Sequence, residues 1–140
     1  MLSRAQQTDR STPVPFAIAR RQLDGRTSVT SIEGELDLAT APQLKWALLD
    51  ALEEGHSQLV VDLTRATFMD STALGVLVGV DRGLDAGATL AIVCASSSLL
   101  KIFELSGMDG VFAIFPTLDS ALADSDGRVA DPDERAAEAS

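Results

Sequence analysis

Three short apolar runs, LVVDL at 59–63, ATLAIV at 88–93 and VFAIF at 111–115, are each followed by a segment of helical pattern. Runs this short, with no polar face, read as strands buried on both sides. Strands that alternate with helices lie parallel, because each helix carries the chain back across the sheet before the next strand begins. The spacing places helices at about 71–84 and 97–106, with a short one after Thr117.

The segment before the first run is helical too. Leu44, Ala47, Leu48, Ala51 and Leu52 fall at i, i+3, i+4, i+7 and i+8, one face of a helix. Thr40 with Gln43 has the form of a capping box, Pro42 suits the first turn, and Gly55 suits the C-cap. Earlier still, Phe16 and Ile18 alternate with small or polar residues, and Thr30, Ile32 and Leu36 share the parity of a returning strand. Asp24-Gly25 between them is the pair that favours a two-residue hairpin turn. The expected fold is α/β: a mixed, mostly parallel β-sheet with an N-terminal antiparallel hairpin and covering α-helices.

The length of 140 residues suits one domain. Residues 125–140, SDGRVADPDERAAEAS, contain one large apolar side chain, Val129, too little burial to offset the entropy of ordering. They read as an acidic disordered tail, residues 1–15 as a disordered lead-in, and 16–124 as the folded unit. With 11 basic and 21 acidic residues the net charge is -10, which argues against nucleic acid or an anionic membrane as partner. No apolar run approaches the roughly 20 residues of a membrane span, and no signal-peptide core opens the chain. The expected location is the cytoplasm, without membrane insertion.

Enzyme chemistry is poorly supplied. The chain has no nucleophile elbow, no phosphate-binding loop and no dinucleotide fingerprint. The single His56 sits in a turn and reads as a solvated side chain; the single Cys94 ends an apolar strand and reads as a buried structural thiol. One of each cannot build a Cys/His metal site, so no metal, no cofactor and no catalytic activity are expected. Asp62 and Asp70 bracket the segment between a strand and a helix, where they could approach each other at the sheet edge that binds ligands in open parallel folds. Asp70 or Ser71 as a helix N-cap explains the same residues without a ligand.

The run FMDSTALGVLVG at 68–79 holds two hydroxyls, Ser71 and Thr72, at the start of a helix apolar on all sides. Gly75 and Gly79 would let that helix approach a neighbour closely. A phosphate on either hydroxyl would meet the N–H groups and dipole of the helix terminus and would place new negative charge beside Asp70.

Three blocks, GELDLATAPQL (34–44), VVDLTRATFMDSTALGVL (60–77) and LLKIFELSGMDGVFAIFPTLDSAL (99–122), resemble the STAS domain of bacterial anti-sigma factor antagonists. The resemblance spans the folded unit. It implies a regulator that binds an anti-sigma factor serine/threonine kinase and releases a sigma factor, with phosphorylation by that kinase as the off-switch and a phosphatase to reverse it. On this resemblance Thr72 matches the phosphoacceptor, and Asp70 and Ser71 match the residues leading into it. Asp62, Thr64 and Asp37 match positions of the partner-binding face. Thr72 stands where Ser is common in the family, and Ala73 where Gly is usual. STAS domains also serve as subunits or modules of lipid and anion transporters, and that is the alternative the resemblance carries.

Overall fold

Among the described residues, the alternation of apolar runs and helical segments becomes a five-stranded sheet with spatial order β1-β2-β3-β4-β5. The computed structural model describes residues 15–130, with side chains through Asp124. Strands β1 (Ala17–Gln22) and β2 (Thr27–Leu36) pair antiparallel; β3 (Gln58–Met69), β4 (Thr89–Val93) and β5 (Ala113–Phe115) follow in parallel. The helices are α1 (Ala41–Glu53), α2 (Ser71–Arg82), α3 (Ser97–Ser106) and α4 (Leu118–Ala130), with a short 3-10 turn at Met108–Gly110. The expected fold class is the one observed. Residues 1–14 of the expected lead-in and 131–140 of the expected tail lie outside the described residues, and α4 runs beyond the boundary expected at 124.

Alternation along the strands divides the core in two. Ile32, Leu59, Val61, Leu63 and Ile92 face α1, α2 and α3, where they meet Leu44, Leu48, Leu77, Leu99 and Phe103. Val29, Val60 and Val93 point to the opposite face and pack with Ala121, Leu118 and Leu122 of α4. Phe103 is wholly buried and stands edge-on to Phe112, with ring centroids 6.1 Å apart and planes at 83°.

Strand β3 is much longer than the run expected at 59–63. Its pairing with β2 shifts register twice, first between Ser31 and Glu33 and again between Gly34 and Glu35, and each time β3 carries one extra residue. These are β-bulges. Gly34, beside the second shift, has φ 86°, the left-handed conformation that glycine adopts without strain. The bulges make the buried positions Leu63, Ala66 and Met69 recur every third residue, so the two-residue period that marks a strand is lost.

Other local expectations give way to tertiary contacts. Gly25 has no positive φ, which a two-residue turn of the expected kind would require. The Asp24 carboxylate instead accepts bonds from the N–H groups of Arg26 and Thr27, at 2.8 and 2.7 Å, and closes a longer turn; these bonds hold its pKa below the ordinary value. Thr40 is the residue before α1, yet its side chain makes no capping bond to the helix. It turns back, donating to the Glu35 carbonyl at 2.8 Å and accepting from the Asp37 N–H at 2.8 Å. His56, expected in solvent, is 5% exposed. Gly55, with φ 99°, reverses the chain after α1, and the imidazole Nε2 lies 3.8 Å from Glu54 Oε1 at the end of that helix. Cys94 is buried as expected, and burial pushes its thiol pKa up.

Candidate functional site

At the end of β3, Met69 is buried in the core and Asp70 follows it in an extended conformation, φ -110° and ψ -178°. The Asp70 N–H donates to the Leu36 carbonyl at 3.2 Å, which fixes the end of β2 beside the start of α2. Asp70 is the N-cap of α2. Its Oδ1 accepts from the N–H of Thr72 at 3.0 Å and from the N–H of Ala73 at 3.1 Å. Two of the helix donors expected to be free for a phosphate are thus already bonded to a carboxylate. An anion on Thr72 would stand beside that charge.

Ser71 is exposed and Thr72 half-buried. Ala73 has no exposure and belongs to the core with Leu74 and Leu77. The helix is one-sided where the sequence suggested burial all round. Gly75 and Gly79 are exposed, and a Cβ built on either would meet nothing within 4 Å. They do not mediate a close helix approach; they leave open a groove of about 410 Å³ between α1 and α2, walled by Lys45, Leu49 and Val76, with Thr72 in its lining.

Asp37 lies on the loop that leaves β2. Its Oδ1 accepts from the N–H groups of Ala39 and Thr40, at 3.0 and 3.2 Å, so the carboxylate braces the turn into α1. Next to it Leu38 is 72% exposed, and Phe68, near the end of β3, is 46% exposed. Large apolar side chains left in water near a hydroxyl pair are what a docking surface needs. Nothing in the periodicity marked them, since each sits in a segment without a regular pattern.

Asp62 and Thr64 lie elsewhere. Thr64 donates to Asp62 Oδ1 through its N–H at 3.0 Å and also through its hydroxyl. Both residues line a hollow of about 530 Å³ with Ala17, Ala19, Arg21 and Leu118. Val61 and Leu63 point into the main core, so Asp62 between them points to the opposite face of the sheet. The expected approach of Asp62 to Asp70 does not form, because β3 continues to Met69 and separates them by on the order of 20 Å of strand. The candidate residues therefore fall into two groups: Asp37, Asp70, Ser71 and Thr72 at one edge, Asp62 and Thr64 on the sheet face that α4 begins to cover. Among the described residues no group of three or more His, Cys, Asp or Glu side chains could hold a metal ion, and no helix is long and apolar enough to cross a membrane.

The family model described as STAS domain matches residues 19–121, from β1 into α4. The chain belongs to the STAS domain family. This STAS domain is 32% identical over 95 residues to the anti-sigma-F factor antagonist RsfB of Mycobacterium tuberculosis, an alignment covering 68% of this chain and 78% of that protein. Among solved structures it is similar to an anti-sigma factor antagonist from Mycobacterium paratuberculosis, with TM-score 0.73 and 30% identity over 78% of this chain and 92% of the other. It is also similar to the Bacillus cell fate determinant SpoIIAA in its phosphorylated form, with TM-score 0.63 and 25% identity over 78% and 99% of the two chains.

The cap gives this STAS domain a direct test. Asp70→Ala removes the acceptor of two N–H bonds at the start of α2 and is expected to lower stability by about 1 kcal/mol. Exposed Ser71→Ala should change it by less than about 0.5 kcal/mol. Urea unfolding of both variants measures the difference, and equal losses would remove the special role of Asp70.

Proposed function

We propose that this STAS domain is an anti-sigma factor antagonist: it binds an anti-sigma factor serine/threonine kinase, frees a sigma factor, and is switched off when the kinase phosphorylates Thr72. A phosphatase restores the binding form. The observation that carries the reading is the placement of Thr72, a half-buried hydroxyl on the first turn of α2, at a groove and directly after the carboxylate that caps the helix. The names of its relatives support the same reading, and one similar structure is of a phosphorylated form.

The proposed switch is electrostatic. Phosphorylation adds about -1.5 to -2 charge at neutral pH. The Thr72 and Ala73 N–H groups already serve Asp70, so the new dianion has little compensation from the helix end and must be met by solvent or by the partner. A partner that docks snugly on the unmodified surface would then face an uncompensated charge. Asp37, Asp70 and Ser71 share this edge and are assigned partner contacts; Asp62 and Thr64 can contribute only where a partner also reaches the other sheet face. The phosphate donor is held by the kinase, since this chain has no phosphate-binding loop.

Incubation with the cognate kinase and ATP, read by intact-mass spectrometry, tests the assignment. One phosphate is expected on wild type and on Ser71→Ala, and none on Thr72→Ala. Phosphate on Thr72→Ala would move the acceptor to Ser71. The isolated STAS domain is expected to show no saturable ATP binding. Affinity capture that returns a transporter ATPase and no kinase would replace this reading with the transporter-subunit alternative.

A further inference from the structure

Among the described residues, the buried side-chain polar atoms without a hydrogen-bond partner are Arg20 Nη1, Ser28 Oγ, Thr30 Oγ1 and His56 Nδ1. They are gathered in one place. Arg20 pairs across the strands with Thr30, and Gln22 with Ser28; side chains of directly opposed residues share a face of the sheet. Arg20 Nη2 donates to both carboxylate oxygens of Glu54 at 2.7 Å, and Gln22 Nε2 donates to Glu54 Oε1 at 3.2 Å. His56 Nε2 lies 3.8 Å from the same Oε1. All four atoms therefore belong to a patch between the β1–β2 hairpin and the C-terminal end of α1.

Ser28 and Thr30 are each 1% exposed and His56 5%. Buried polar groups in folded proteins are bonded with few exceptions, to protein or to ordered water, and each exception calls for an explanation, a bound water or ion among them. The chemistry of the four atoms selects between the two. A guanidinium only donates, a hydroxyl donates and accepts, and an imidazole nitrogen donates when it carries a proton and accepts when it does not. Glu54 already neutralises Arg20 and Arg20 holds its pKa below the ordinary carboxylate value, so the patch has no net call for an anion. Water, with two donors and two acceptors, has the chemistry that matches these four atoms.

We propose that this patch is an internal hydration site, in which ordered water bridges Arg20, Ser28, Thr30 and His56 and ties the edge strand β1 to the end of α1. Among the described residues, strand β1 has a sheet neighbour on one side only, so such a bridge adds an attachment where the sheet is least supported.

Thr30→Val keeps the shape of the side chain and removes its hydroxyl; Ser28→Ala is the second variant and makes the test independent of how well either one folds. Oxygen-17 relaxation dispersion on the full chain counts long-lived internal water without interference from hydroxyl protons. The wild type is expected to show a dispersion step that shrinks in both variants, together with a lower urea midpoint in each. A wild type with no step, or a step unchanged by both substitutions, would overturn the proposal. So would a raised midpoint, the result expected when a hydroxyl that bonds to nothing is replaced by an apolar group. A midpoint that depends on chloride at constant ionic strength would assign the patch to an anion and would equally defeat it.

Discussion

Thr72→Glu is expected to weaken binding of the anti-sigma kinase by between about tenfold and a hundredfold, while Thr72→Ala binds as wild type does. The range follows from like-charge juxtaposition at an interface, which can cost several kcal/mol, and from the tenfold change in affinity that each 1.4 kcal/mol represents. A single carboxylate is a weaker mimic than a phosphate dianion, so the modified protein itself should lie at or beyond the upper end. Folding should not confuse the result. Thr72 is half-buried at a groove and not in the core, so a longer side chain there has room to reach solvent. Calorimetric titration of the kinase with each variant measures the effect; equal affinity of Thr72→Glu and wild type would defeat the electrostatic switch even if Thr72 proved to be phosphorylated.

The largest expected effect on stability is at Phe103. The ring is wholly buried, stands edge-on to Phe112, and belongs to the core shared by the sheet and α3. Truncation to Ala removes both its transfer free energy and the contacts of the cavity left behind, a loss of about 3–5 kcal/mol. A domain stabilised by about 5–15 kcal/mol would lose a large share of its margin. Leu105, two residues on and 80% exposed, supplies the control: Leu105→Ala should shift stability by less than about 0.5 kcal/mol. In urea, Phe103→Ala should lower the midpoint without changing the slope. A loss under about 1 kcal/mol would mean that the core refills the space.

The order of elements was legible because it depends on local pattern. The helix at 97–106 and the strand-helix alternation follow from periodicity alone, and Asp70 and Thr72 could be placed at a helix start from the residue types around them. What escaped depends on long-range pairing. Strand β3 looks too short in sequence because its bulges answer to β2, some thirty residues earlier. In sequence Asp62 falls within a continuous apolar run, yet its neighbours Val61 and Leu63 take the core side and leave it on the other. Thr40 has the chemistry of a cap and spends it on Glu35 and Asp37, which the fold brings nearer. His56 is buried by the reversal at Gly55, an effect that no amphipathic pattern records.

The spatial order of the strands repeats their order along the chain, and this matters during synthesis. As the polypeptide leaves the ribosome, each new strand finds its neighbour already made and adds to an open edge; none has to be inserted between two earlier ones. The β1–β2 hairpin needs no later segment for its pairing, and each later addition waits only for the helical segment before it. Nascent chains of this protein can thus grow a sheet outward from the first hairpin, each strand adding to the edge left by the one before it.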